Sequence, residues 1–172
     1  GRGYPLWKPG PNNNLPSAYQ RAGMSIGDVG TFTDSGGFDF LFNICLPADH
    51  PINREGGVPE GFYPVQNLRR CDIQRHAEFH PGSYLCSQDI KTSQYNGDLS
   101  RGLAFESSAS EGAILTMPSG ATSTELTSVL DFEDYMALHI ENWYKFIIGV
   151  RSRKVENGGV RLVIGCDKSS TW

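Results

Sequence analysis

Apolar and mixed positions alternate between residues 38 and 45. Successive side chains of a strand point to opposite faces. One face is wholly apolar and carries Phe38, Phe40, Phe42 and Ile44. The other face is mixed and carries Asp39, Leu41, Asn43 and Cys45. This pattern predicts an antiparallel strand with one side on the core.

Residues 26–32 are predicted to pair with that strand as a hairpin. The connection at 33–37 ends in two glycines, which can adopt the positive φ of a tight turn. Gly27 and Gly30 interrupt the first strand, so we expect a bulge or a close backbone approach there. Asp28 and Asp39 leave two alternatives open. In the first, they are catalytic carboxylates. In the second, they face solvent or cap a turn, and this interpretation is favoured because the sequence gives no evidence of a pocket around them.

Residues 131–149 carry an apolar stripe at three- and four-residue intervals, which predicts one long amphipathic helix. Asp131 is the expected N-cap, and Gly149 marks the expected end. The stripe consists of Phe132, Tyr135, Met136, His139, Ile140, Trp143, Phe146 and Ile147. His139 is interpreted as a hydrogen-bonded core histidine. Upstream, residues 122–125 fit a capping box and predict a short helical stretch.

Residues 1–23 form a segment rich in proline and asparagine, and its prolines at positions 5, 9, 11 and 16 argue against a regular helix. We expect an extended arm that lies across the domain with its aromatic side chains docked. Residues 24–172 are predicted to form a single α+β domain, loop-rich, in which one long amphipathic helix packs on an antiparallel β-sheet built from hairpins.

The net charge and the hydropathy of the chain exclude some classes of binding partner. The chain has 172 residues and a formal net charge of −4, so we expect no nucleic-acid partner. No stretch of about 18 apolar residues occurs, so no transmembrane segment is expected. Motifs for serine hydrolases, zinc proteases, dinucleotide binding and calcium loops are absent from the sequence.

Three groups of sequence segments follow one another along the chain. They are IGDVG with FDFLFNICLPADHPIN, then SEGAILTMPSGAT, then ENWYKF with VRLVIGCDKSSTW. They resemble an uncharacterised domain found in proteins of mushroom-forming (basidiomycete) fungi, over most of the chain. The resemblance implies a soluble fungal domain without an established activity. It also implies that the family's chains continue past the equivalent of residues 170–172, so we expect a fragment or a processed form.

One cluster has the character of a metal site: Cys71, His76, His80 and Cys86. Two thiolates and two imidazoles can hold zinc, although this spacing is not that of a standard finger. A disulfide between Cys71 and Cys86 is the alternative in a secreted protein. In a cytoplasmic protein, free cysteines and surface histidines are the favoured interpretation. We expect a cytoplasmic location, and secretion is the alternative.

The sequence supports two hypotheses about function, one for a binding protein and one for an enzyme. The first is a non-enzymatic recognition module, with a protein or small ligand held by the loop at 47–64 and by the aromatic arm. Its expected binding residues are Trp7, Asp49, His50 and Asn53, and glycan binding through Tyr4, Trp7 and residues 12–14 is one variant. The alternative is a hydrolase or metal-dependent enzyme that uses Cys45, Asp49 and His50 or the zinc cluster. Cys45 and Cys166 equally suit the role of small buried hydrophobes.

Overall fold

The computed structural model describes residues 4–66, 68–97 and 100–171. Within them the helices are α1 (Ser17–Ala22), α2 (Pro51–Arg54) and α3 (Val129–Lys145), with a 3-10 turn at Arg70–Asp72 and a π-helical turn at Phe146–Val150. The strands are β1 (Asp28–Phe32), β2 (Phe38–Asn43), β3 (Ile73–Phe79), β4 (Ser83–Cys86), β5 (Ile90–Gly97), β6 (Ser100–Ser107), β7 (Ile114–Met117), β8 (Ala121–Leu126), β9 (Val160–Leu162) and β10 (Gly165–Lys168). Small antiparallel sheets and one long helix make this an α+β fold, as predicted.

The chain divides into two compact units. The first consists of Gly1–Arg75 and Thr124–Cys166, and the second of His76–Ser123 and Asp167–Trp172. The chain passes between the units within β3, β8 and β10. In the second unit β4 pairs with β7, and β5 pairs with β6, both antiparallel. No helix in the described part of the chain is long and apolar enough to cross a bilayer.

The predicted hairpin is confirmed in the first unit. Strands β1 and β2 pair antiparallel, and β9 pairs with the other edge of β1. The register shifts between Val29 and Gly30, which is the irregularity that the glycine predicts. A Cβ atom at Gly30 would collide with the carbonyl oxygen of Asp39. The bulge therefore depends on the close approach of two backbones that only glycine permits.

Strand β2 is buried on both faces, whereas its pattern predicts one face on the core. Phe40, Phe42 and Ile44 are buried as expected. Leu41 and Asn43 on the mixed face are also buried, each with 1% of its surface exposed. The side chain of Asn43 bonds to the carbonyl oxygen of Ile26 and to Asp28, and its backbone bonds to Asn53 in the loop that follows β2. Contacts with residues outside the strand thus replace the solvent that alternation alone would place there.

The long helix α3 packs its stripe on the hairpin, as predicted. Phe132 and Trp143 of α3 are buried, and so are Phe146 and Ile147 of the π-helical turn that continues it. The rings of Trp143 and Phe146 meet Phe42 edge-on, at centroid distances of 5.6 and 5.8 Å. The helix begins at Val129 after Ser128, two residues before the expected cap at Asp131. The aromatic edges fill the space between helix and strand, and they join the two elements into one core.

The short helical stretch predicted at 122–125 is wrong, because these residues belong to strand β8. At the end of this strand the amide of Leu126 donates to the carbonyl oxygen of Ile164 at 2.9 Å. The side chain of Ser123, inside the proposed capping box, is buried with 1% exposed. Strand pairing with a distant segment overrides the local capping signal.

The N-terminal arm is not extended throughout, because α1 forms directly after Pro16. Proline lacks an amide hydrogen, but its carbonyl oxygen accepts from the amides of Tyr19 and Gln20. Pro16 therefore begins the helix instead of preventing it. Tyr19 is docked, as predicted, with 2% of its surface exposed. The rings of Tyr4 and Trp7 are not docked in this way, since each has 70% of its surface exposed.

Candidate functional site

The start of the arm lies against the β1–β2 hairpin. The amide of Lys8 donates to the carbonyl oxygen of Gly36 at 3.1 Å. The ring of Tyr4 contacts the ring of Phe32, with 4.7 Å between their centroids. Trp7 lies over Gly36, where a Cβ atom would come within 2.7 Å of Trp7 Cβ. We call Tyr4, Trp7, Phe32 and Gly36 together the arm–hairpin surface.

The hairpin turn holds Gly36 in the conformation that this contact needs. Gly36 has a φ of +80°, which an L side chain rarely adopts. Its amide donates to the carbonyl oxygen of Thr33 at 2.9 Å, and the amide of Gly37 donates to Thr33 Oγ1 at 2.9 Å. The guanidinium of Arg161 lies 5.6 Å from the centroid of Phe32, within cation–π range. The surface under the arm is thus ordered by its own bonds.

The three residues that the sequence assigns to the loop at 47–64 have different environments. Asp49 is exposed, and the half-buried His50 begins α2, where its Nδ1 accepts from the amide of Ile52 at 3.3 Å. Asn53 is fully buried. Its side chain bonds to the amide and carbonyl of Asn43 and to the carbonyl oxygens of Leu46 and Pro47. In this conformation Asn53 holds the loop on the strand and is not open to a ligand.

A second aromatic group lies where this loop meets α3. The hydroxyl of Tyr135 donates to the carbonyl oxygen of Tyr63 at 2.5 Å. His139 Nε2 is 3.0 Å from the hydroxyl of Tyr63, so this histidine is hydrogen-bonded, as expected, but only half-buried. Burial raises the pKa of Tyr135 to about 12, so its hydroxyl stays a neutral donor. Tyr63 was missed in the sequence, where it lies in the loop at 47–64 and belongs to no periodic pattern.

The candidate carboxylate Asp28 is fully buried in a polar cluster. It accepts hydrogen bonds from the hydroxyl of Tyr19 at 3.0 Å, from the amide and hydroxyl of Ser25 at 2.7 and 3.2 Å, and from Asn43 Nδ2 at 2.7 Å. Burial raises its pKa to about 6, against the opposing effect of these bonds. Asp28 is thus not on the solvent face, but its bond from the amide of Ser25 agrees with the turn-capping role that the sequence also favours. Asp39, by contrast, is half-buried and pairs with Arg153 at 3.3 Å.

The thiol chemistry of Cys45 is suppressed by its surroundings. Burial, with the nearby Asp28, raises the pKa of the Cys45 thiol to about 12. A thiol with this pKa is almost entirely protonated at neutral pH, and the thiolate is the nucleophile. The sulfur of Cys166 lies 3.8 Å from the carbonyl oxygen of Met24. The environment of Cys45 therefore does not favour the thiolate that the enzyme alternative requires.

The proposed zinc ligands do not form a metal site in the part of the chain that the structure describes. No group of three or more histidine, cysteine, aspartate or glutamate side chains there could hold a metal ion. His76 instead lies 3.0 Å from the carboxylate of Glu78. Cys71 and Cys86 are exposed free thiols, so the alternative disulfide is not formed either.

Comparisons of the chain with models of protein families, with curated proteins and with solved structures found no match. The ordered and exposed aromatic side chains of the arm–hairpin surface are therefore the feature from which we infer a function. Tyr4 and Trp7 combine a large exposed area with a backbone already held in place.

Proposed function

We propose that this chain is a non-enzymatic recognition module that contacts its ligand through the arm–hairpin surface. The observation that carries the proposal is the 70% exposure of both Tyr4 and Trp7, on a segment bonded to the hairpin through Lys8 and Gly36. Large aromatic side chains on a monomer's surface are typical of places that another molecule covers.

The order of the arm favours binding for an energetic reason. A ligand that meets a mobile segment must pay for the conformational entropy that the segment loses. Here the bond from Lys8 to Gly36 and the contact of Tyr4 with Phe32 hold the backbone beforehand. Tyrosine and tryptophan have few rotatable bonds, so they offer a large contact area at a low entropic cost.

The enzyme alternative gains no support from the geometry. The Cys45 thiol is held protonated, and Asp28 is closed off from solvent. Membership of the fungal domain family that the sequence resembles is a further part of our proposal. A recognition role agrees with that resemblance, which implies no established activity.

The experiment compares retention of the wild-type protein and of variants on glycan and peptide arrays. We expect the wild type to be retained on one of these arrays, and Trp7→Ala and Tyr4→Ala to weaken retention by about tenfold each. Leu130→Ala is the matched control, because Leu130 on α3 is 73% exposed and lies outside the arm–hairpin surface. Retention that is equal for all variants, or absent for the wild type, would contradict the proposal.

A further inference from the structure

A cleft of about 350 Å³ lies in the first unit, and it shares no residue with the arm–hairpin surface. The end of the arm contributes Asn14, the loop after β2 contributes Ile52 and Glu55, and the turn after α3 contributes Val150 and Arg151. We infer that this cleft binds a small molecule that carries one carboxylate and a compact apolar group.

We infer the carboxylate of the ligand from the surroundings of the Arg151 guanidinium. This side chain is half-buried, and its Nη1 donates to the carbonyl oxygen of Gly56 at 2.5 Å. Among the residues that the structure describes, Arg151 makes no ion pair, whereas Arg153 two positions later pairs with Asp39 at 3.3 Å. A guanidinium remains charged, and its planar donors match a carboxylate. The bond to Gly56 uses one donor and fixes the group at the wall of the cleft.

The apolar part follows from the other walls. Ile52 and Val150 line the cleft, and Val150 has 72% of its surface exposed. Phe40, which is buried, forms part of the same wall. The volume of 350 Å³ is near the lower end of the range for small-molecule sites. A short branched or cyclic hydrocarbon group fits this space better than a long chain does.

The limit of one negative charge follows from Glu55. Glu55 also lines the cleft, and its negative charge would repel a dianion more strongly than a monoanion. The formal net charge of −4 acts in the same direction over a longer range. A phosphate dianion is therefore disfavoured relative to a monocarboxylate, although both could bond to one guanidinium.

The test titrates the isotope-labelled protein with isovalerate and, separately, with its neutral analogue isovaleramide, and follows the backbone amide resonances. We expect saturable shifts at residues 52–56 and 150–151 with isovalerate, and binding about tenfold weaker for the amide, which lacks the charge. Equal shifts with both compounds, or no saturation with isovalerate, would overturn the proposal.

Two variants test the site from different sides. Arg151→Gln removes the guanidinium but also the bond to Gly56, so a loss of binding could reflect a changed loop. Val150→Glu leaves that bond in place and adds a repelling charge at an exposed position. We expect both variants to weaken isovalerate binding about tenfold, and the control Arg153→Gln to change it by less than about twofold. Wild-type affinity in Val150→Glu would overturn the assignment.

Discussion

The hydroxyl of Tyr19 donates a hydrogen bond to Asp28 Oδ2 at 3.0 Å, and both side chains are buried, with 2% and 0% of their surfaces exposed. This bond joins helix α1, at the end of the arm, to the first residue of strand β1. Burial, together with the charge of Asp28, raises the pKa of Tyr19, so this residue remains a neutral donor. The arm is thus attached to the domain by a buried polar contact.

Tyr19→Phe tests this attachment. The variant keeps the ring beside Phe40 and removes one of the donors to a buried carboxylate, so we expect the free energy of unfolding to fall by about 1–3 kcal/mol. Urea denaturation measures the change. Tyr4→Phe is the control, because the exposed hydroxyl of Tyr4 should contribute less than about 0.5 kcal/mol. Equal effects of the two substitutions would show that the buried bond contributes nothing.

Asp28 should make stability depend on pH in an unusual direction. Its folded-state pKa of about 6 lies above its ordinary value of 3.8, so the folded state binds a proton more readily than the unfolded state. The stabilising contribution is therefore complete below about pH 4 and is lost as the pH rises through about 6. The full shift corresponds to about 3 kcal/mol, most of which is lost between pH 4 and pH 7.

The measurement is urea denaturation of the wild type and of Asp28→Asn across that pH range. The difference between the two free energies of unfolding isolates Asp28, because the other titrating groups are common to both proteins. We expect this difference to change in favour of the wild type as the pH falls. Asp34→Asn, at an exposed turn position, is the control. A difference that does not vary with pH would refute the prediction.

Asn53→Ala should destabilise the loop after β2. The substitution leaves the amide and carbonyl of Asn43 and the carbonyl oxygens of Leu46 and Pro47 without their side-chain partner. Because these groups are largely buried, we expect a loss of about 2–4 kcal/mol in the free energy of unfolding. Asn13→Ala, at an exposed position of the arm, is the matched control. Similar stability of both variants would mean that the loop is held by other contacts.

Gly36→Ala should detach the arm from the hairpin. The new methyl group would meet Trp7 and would also be placed at a φ of +80°. Gly61→Ala is the control, since Gly61 has a φ of +66° but no neighbouring atom within 4 Å. We expect both variants to lose about 1 kcal/mol from the backbone, and only Gly36→Ala to increase acrylamide quenching of tryptophan fluorescence. Unchanged quenching would show that Trp7 does not depend on this contact.

Local patterns predicted the hairpin and the long helix correctly, with particular exceptions. The glycine at position 30 identified the bulge, and the three- and four-residue spacing identified the side of α3 that carries Trp143. The capping-box pattern at 122–125 failed, because pairing of β8 decided its conformation. Of the expected binding residues, Trp7 lies in the candidate surface, whereas Asn53 is buried beneath the loop.

The sequence by itself determined the elements whose signal lies within one strand or one helix, since side-chain periodicity repeats every two or 3.6 residues. Only the tertiary structure decided the burial of Asp28, which depends on Tyr19 and Asn43 as well as on its own strand. The cleft at Arg151 likewise combines segments more than ninety positions apart, from Ile52 and Glu55 to Val150. Periodicity does not predict such contacts, because it indicates which face a side chain occupies and not which distant segment covers that face.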